Sequence, residues 1–160
     1  MGATYSDRYL RSPLTVRLLG EVLKKLPRRS EDTRIKILSQ KADVGLVSRA
    51  RVLHDSWSDD KVREGVIRGC VLGADFTLKP KGGCPHARSL ALEFDDGSRV
   101  TVHLDQGLGP WRTAGHRPIP FDGQATIVVQ VAALAKVRTD VEMQDKGLMP
   151  SPIWVTWNAT

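Results

Sequence analysis

Cysteine is scarce in this sequence: of its 160 residues only Cys70 and Cys84 carry thiols. They form no CxxC and no paired histidines stand near them, so the four short-spaced ligands of a structural zinc are missing. Reduced thiols are expected, with Cys70 in the core. Long apolar runs are missing as well. Nothing approaches the roughly 20 apolar residues that cross a bilayer. Met1-Gly2-Ala3-Thr4 lacks a basic region followed by an apolar stretch, so no secretory signal is expected and the protein reads as cytoplasmic. Ser6 fits one position of a myristoylation pattern and nothing else supports a lipid anchor. His54, His103 and His116 have no metal spacing, and no P-loop, dinucleotide fingerprint or nucleophile elbow occurs. No metal and no cofactor is expected.

What is present is positive charge. Twenty-four Lys and Arg face 18 Asp and Glu, giving a net charge of +6 and a pI near 9.6. That balance favours anionic partners: DNA, RNA or an acidic membrane surface. Hydrophobic and charged fractions of 41% and 26% are ordinary for a globular protein. The length suits one domain over residues 1–160, and no repeat or low-complexity tract divides it.

The pattern along the chain is mixed α/β. Ser12-Pro13 is a helix start, with Ser12 as N-cap and Pro13 at the first helical position. Val16, Leu19, Val22, Leu23 and Leu26 recur at helical spacing until Pro27. The alternation over 33–38 predicts a strand, and Asp43 to Asp55 a weaker helix interrupted by Gly45. Ser58-Asp59-Asp60 caps a helix with Val62, Val66 and Cys70 on its buried face, closed at Gly73. Trp57, just before that cap, reads as a packing residue. Phe76-Thr77-Leu78 predicts a short strand. Residues 89–94 and 99–104 alternate around Asp95-Asp96-Gly97-Ser98, whose Asp-Gly signals a tight hairpin. Residues 107–112 and 118–120 read as turn and linker. Residues 125–137 read as a helix, with a strand as the alternative because of Ile127-Val128-Val129. Residues 153–157 predict a final strand, with Trp154 and Trp157 on opposite faces, one in the core and one at an edge.

The most specific segment is Pro85-His86-Ala87-Arg88, an H-x-R leading into the apolar strand and hairpin. It is followed by Gly107-Leu108 and Trp111 after the return strand. With the opening Tyr5-Ser6-Asp7-Arg8-Tyr9-Leu10, this layout resembles the C-terminal phospholipase-D-like domain that follows the microtubule-interacting-and-transport helices of eukaryotic proteins, and its bacterial relatives. The likeness covers the first forty residues and the stretch from Pro85 to Trp111. It implies a single phospholipase-D-like domain: a mixed sheet flanked by helices, with a β-hairpin near residues 88–104. It also implies a homodimer, because the active superfamily needs two copies of its H-x-K-x4-D motif. The bacterial relatives imply an accessory part of a helicase-containing or antiphage system.

Two functional readings follow from different residue sets. As a phosphodiesterase or nuclease, the domain would use His86 as nucleophile, Arg88 to neutralise charge and Glu93 to orient the motif, with Arg replacing Lys and Glu replacing Asp. On an alternating strand, however, Glu93 lies on the face opposite His86 and Arg88. As a non-catalytic nucleic-acid binder, the domain would grip phosphate with Arg8, Arg11, Lys79, Lys81, His86 and Arg88. The backbone of Gly82-Gly83 would assist, and Trp111 and Arg112 would stand ready to stack on a base. Asp7 and Tyr9 read first as a capping and packing segment before the first helix, with Asp7 orienting Arg88 as the functional alternative. A third reading, an acidic-lipid or protein-interaction domain, lacks a distinct amphipathic insertion element. The binding reading is preferred, with nucleic acid and a second copy of the chain as partners and no membrane.

Overall fold

The computed structural model describes residues 1–26, 33–41, 57, 59–109, 111–116, 121–143 and 153–158. The helix expected over 43–55, the break at 28–32 and the linker at 118–120 lie outside these residues. Among these residues eight strands and three α-helices run in the order β1 (Gly2–Ser6), α1 (Pro13–Lys24), β2 (Arg34–Gln40), α2 (Asp60–Cys70), β3 (Ala74–Lys79), β4 (Arg88–Glu93), β5 (Arg99–Leu104), β6 (Trp111–Thr113), α3 (Ile127–Ala135), β7 (Val141–Met143) and β8 (Ile153–Asn158).

Six strands form one open mixed sheet in the order β3-β2-β1-β4-β5-β8, and β6 pairs with β7 apart from it. β1, β2 and β3 are parallel, as two successive crossovers through α1 and α2 require, while β4, β5 and β8 are antiparallel to their neighbours. The fold is thus a mixed α/β sheet with three mutually packed helices. The register runs one apolar face across it: Ala74 and Phe76 on β3, Ile35 and Ile37 on β2, Ala3 and Tyr5 on β1, then Leu92 and Leu90 on β4. These pack with Leu14, Leu19 and Leu23 of α1, Val66 and Ile67 of α2, and Leu134 of α3. The alternating strands bury this face because a one-residue slip would send every apolar side chain to water.

The helix starts behave differently from one another. Asp59 caps α2, its Oδ1 accepting from the Lys61 amide at 2.7 Å and more weakly from the Val62 amide at 3.3 Å. Ser12 occupies the N-cap of α1 with Pro13 behind it, but its side chain makes no cap bond; its carbonyl instead accepts from the Thr15 hydroxyl at 2.7 Å. Val22, one of the apolar residues at helical spacing, is exposed. On α2 the buried face is Arg63, Val66 and Ile67, while Cys70 is half-buried, because the helix turns its stripe toward Leu10 and the end of β2. The expected hairpin forms as β4 and β5. Gly97 takes a φ of +83°, and the Phe94 amide donates to the Ser98 carbonyl at 2.9 Å.

Residues 127–135 resolve to helix against the β-branched preference of Ile127-Val128-Val129. The cause is tertiary. Gly65 and Gly69 of α2 leave the space that Ile127 and Val131 of α3 fill, so close that a Cβ on either glycine would sit 2.6 Å from those side chains. Gln130 is buried on the inner side, its amide donating to the Gly123 and Ala125 carbonyls and its oxygen accepting from Trp57 Nε1 at 2.7 Å. Trp57 is buried edge-on to Phe121, as a packing residue should be. The expectation that Trp154 or Trp157 enters the core is wrong. Both lie on β8, the terminal strand, beyond the reach of the helix layer, and both are exposed.

Candidate functional site

β1 is the pivot of the sheet, parallel to β2 on one side and antiparallel to β4 on the other. The carboxyl ends of β1, β2 and β3 therefore lie at the same end of the sheet as the start of β4 and the end of β5. Five segments come to that end: residues 7–11 after β1, Gln40 and Lys41 where β2 ends, residues 79–82 where β3 ends, residues 84–88 leading into β4, and residues 105–107 after β5.

The register builds the centre. Ser6 opposes Ser89, so one further step sets Asp7 against Arg88. Asp7 is buried, its Oδ2 accepting from the Tyr5 hydroxyl at 3.0 Å and its Oδ1 from the Tyr9 amide at 2.8 Å. Arg88 Nε stands 3.7 Å from Oδ1, an ion pair too long to be a hydrogen bond. The same Nε finds no hydrogen-bond partner among the described residues. Nη1 of Arg88 donates to the Asp105 carbonyl at 2.6 Å, and the guanidinium lies 5.1 Å from the centre of the Tyr9 ring. His86, exposed, meets the edge of that ring at 6.2 Å between centroids.

Electrostatics at the pair follow from burial. Desolvation raises the Asp7 carboxyl above its ordinary value, against the opposing pull of the Tyr9 amide, the Tyr5 hydroxyl and Arg88. Burial also raises the Tyr5 hydroxyl, and the neighbouring Asp7 charge adds to it. Gly107, at a φ of +61°, lets the chain pass close: a Cβ there would stand 2.8 Å from Asp7 Oδ2 and 3.1 Å from Arg88 Cγ.

Further cations surround this centre. Arg8 Nη2 donates to the Cys84 carbonyl at 2.9 Å and Arg11 Nη2 to the Lys41 carbonyl at 3.2 Å. Lys79 lies opposite Gln40 in the β2–β3 register, and the Gly82 amide reaches Gln40 Oε1 at 3.4 Å, which keeps the 79–82 loop at the same end. Beneath them Arg63 is fully buried, donating to the Leu10 and Gln40 carbonyls at 3.3 and 2.7 Å and paired with Asp60 at 2.9 Å. Burial lowers Arg63 to about 10, with Asp60 acting in the opposite sense. It remains a cation at neutral pH and ties the segment after β1, the end of β2 and α2 together beneath these cations.

Of the residues singled out in the sequence, Arg8, Arg11, Lys79, Lys81, His86 and Arg88 therefore come to one end of the sheet. Glu93 does not. It ends β4 at the opposite end, on the other face, exposed and 4.0 Å from Arg99. Trp111 and Arg112 fall on β6. The Trp111 side chain is half-buried against the core, and Arg112 Nη1 donates to the Gly109 and Trp111 carbonyls at 2.6 and 2.8 Å. Sequence reading missed Arg63, Lys41 and the buried Cys84, whose sulfur lies 3.4 Å from Ser6 Oγ. The sign for Arg63 was available: it sits three and four residues before Val66 and Ile67, a charge on the apolar stripe of its helix.

What this arrangement offers chemically is a recessed guanidinium held in one orientation, with further N–H donors around its mouth. Guanidinium groups and bare amides suit phosphate oxygens. No helix among the described residues is long and apolar enough to cross a membrane.

No curated protein and no solved structure matches the chain. One family model does, described as the C-terminal domain of the DEAD/DEAH box helicase YjiV, and it aligns with residues 1–157. Because that match spans nearly all of the 160 residues, the chain belongs to the family of the YjiV helicase C-terminal domain.

Proposed function

We propose that this domain is a non-catalytic, phospholipase-D-like accessory module of a helicase that grips the phosphate backbone of nucleic acid and works as a homodimer. The observation that carries the phosphate site is Arg88, held by Asp7, Tyr9 and the Asp105 carbonyl where β4 begins beside the end of β1, with Arg8, Arg11, Lys79, Lys81 and His86 at the same end of the sheet. A helicase presents single and double strands side by side, so a backbone-reading surface on its accessory domain would hold substrate without competing for sequence. Family membership supports the helicase context, and the net charge of +6 supports the anionic partner.

Fluorescence anisotropy with labelled single- and double-stranded DNA and RNA, over a salt series, tests the phosphate reading. Affinity should fall steeply with salt, and each of Lys79→Ala and Lys81→Ala should lower the slope of log K against log salt by about one. Arg88→Ala should weaken binding at every sequence tested. Salt-insensitive binding, or none, sinks the proposal.

One observation favours a second reading. His86 is exposed two residues before Arg88 at the same mouth, where a nucleophile would need to be. Cleavage of the labelled strands by the wild type, lost in His86→Ala, would replace the binding module with a phosphodiesterase.

A further inference from the structure

β8 closes one edge of the six-stranded sheet and, among the described residues, pairs only with β5. Its apolar side chains are open to solvent: Ile153 by 56%, Trp154 by 46%, Val155 by 60% and Trp157 by 72%. Solvent-facing edge strands are usually blunted with lysine, proline, a bulge or an inward charge. The other edge follows that practice, since β3 carries Asp75 and Lys79. β8, Ile-Trp-Val-Thr-Trp-Asn, carries neither a charge nor a proline. An uncharged edge with two indoles on it behaves as a surface made to be covered.

We propose that a second copy of this chain covers it, the β8 strands of the two copies pairing antiparallel about a two-fold axis so that the two sheets become one. The proposal rests on the homodimer in the proposed function and is independent of the phosphate site.

Symmetry narrows the register. A two-fold axis perpendicular to the sheet relates antiparallel neighbours, and residues directly opposed across it share a face. Centred on Val155, the pairing sets Val155 against the partner's Val155 and Ile153 against the partner's Trp157. Each large indole then meets a smaller aliphatic side chain, on the face where β5 presents Val100, Val102 and Leu104. On the other face Trp154, already stacked on His103 at 4.9 Å between ring centres, meets the partner's Thr156. A shift of two residues carries Ile153 or Trp157 past the end of β8. The net charge of +6 opposes self-association, but none of it lies on this strand. The four apolar side chains expose on the order of 450–500 Å², more than half of the about 800 Å² per partner of a standard interface, and the flanking backbone edge adds to it.

Sedimentation velocity of the 160-residue chain over a broad concentration series tests the interface. The wild type should dimerise, and Val155→Lys and Val155→Glu should each be monomeric, because each places like charges opposite one another on the axis. Mixing the two variants in equal amounts should restore the dimer. Trp157→Ser, which adds no charge, should raise the dissociation constant tenfold or more. Circular dichroism melts establish that each variant folds. A wild type that stays monomeric overturns both the interface and the homodimer. A dimeric wild type with dimeric Val155→Lys overturns the interface alone. Folded variants that stay monomeric when mixed overturn the register centred on Val155.

Discussion

Replacing Gly107 by alanine perturbs the candidate site at its tightest point, and Gly82→Ala supplies a matched control. Both glycines hold positive φ, +61° and +81°. An L side chain in the left-handed region costs about 1–2 kcal/mol, so backbone strain alone predicts similar losses. The surroundings differ. Nothing lies within 4 Å of a Cβ at Gly82, whereas at Gly107 it would meet Asp7 Oδ2 at 2.8 Å and Arg88 Cγ at 3.1 Å. Asp7 cannot swing aside freely, because Tyr5 and Tyr9 each hold one of its oxygens. Disturbing those two bonds costs about 1 kcal/mol each. Gly107→Ala should therefore lose about 2 kcal/mol more than Gly82→Ala in urea denaturation, and its Tm should fall a further 4–8 °C or so. Its affinity for labelled DNA should drop as well, since the displaced carboxylate no longer positions Arg88. Equal destabilisation in the two variants would refute the close packing of residue 107 on the Asp7–Arg88 pair.

Other expectations follow from the same contacts. Asp59→Ala should cost about 1 kcal/mol through loss of the α2 cap, read from the urea midpoint, while Asp59→Asn should recover most of it. Arg63→Ala removes the charged donor shared by the Leu10 and Gln40 carbonyls and should destabilise by about 3–5 kcal/mol in the same experiment. Trp57→Phe should cost roughly 1–3 kcal/mol, because it strands Gln130 Oε1 in the core. For pH, burial raises Asp7 above 3.8, so the native state keeps this proton to higher pH than the unfolded chain does. The stability tied to Asp7 is then greatest at low pH and falls as pH rises from the ordinary carboxylate range through the raised native value. Asp7→Asn should flatten that decline in melts recorded across the window, and parallel profiles would show that Asp7 does not titrate as its burial requires.

The hairpin and most elements were legible because local chemistry and tertiary demand agree there. Asp96-Gly97 supplies the turn, the alternation of residues 89–94 supplies the buried face, and nothing elsewhere overrides them. β1 was not legible as a strand. Gly2-Ala3-Thr4-Tyr5-Ser6 offers only Thr4 and Tyr5 as strand formers, and it becomes central because β2 and β4 close on both sides of it. For α3 the choice between helix and strand lay in α2, where Gly65 and Gly69 receive its side chains, more than 60 residues away in sequence. The cations of the site were visible one by one. Grouping them was also within reach of the sequence, but the strand order that brings them to one end of the sheet was not. Glu93 shows the converse: its spacing from His86 imitates a motif, but strand periodicity carries it to the far end of β4.

The same register that buries the core also assembles the site. Tyr5 against Leu90 and Ala3 against Leu92 lock β4 onto β1 on the helix-covered face. Given that lock, Asp7 must meet Arg88, and a slip of one residue would turn Arg88 to the opposite face. The proposed anion site therefore has no folding problem of its own, because apolar pairs several residues along the ladder fix the geometry of the Asp7–Arg88 pair. Substitutions that loosen β1 against β4 should lower stability and phosphate affinity together, with Tyr5→Phe as the mild case that removes only the bond to Asp7. Substitutions on the exposed face of β8 sit two strands beyond β4 and make no contact with that lock. They should change association between copies while leaving the phosphate affinity of each copy where it was. That separation follows from strand order alone.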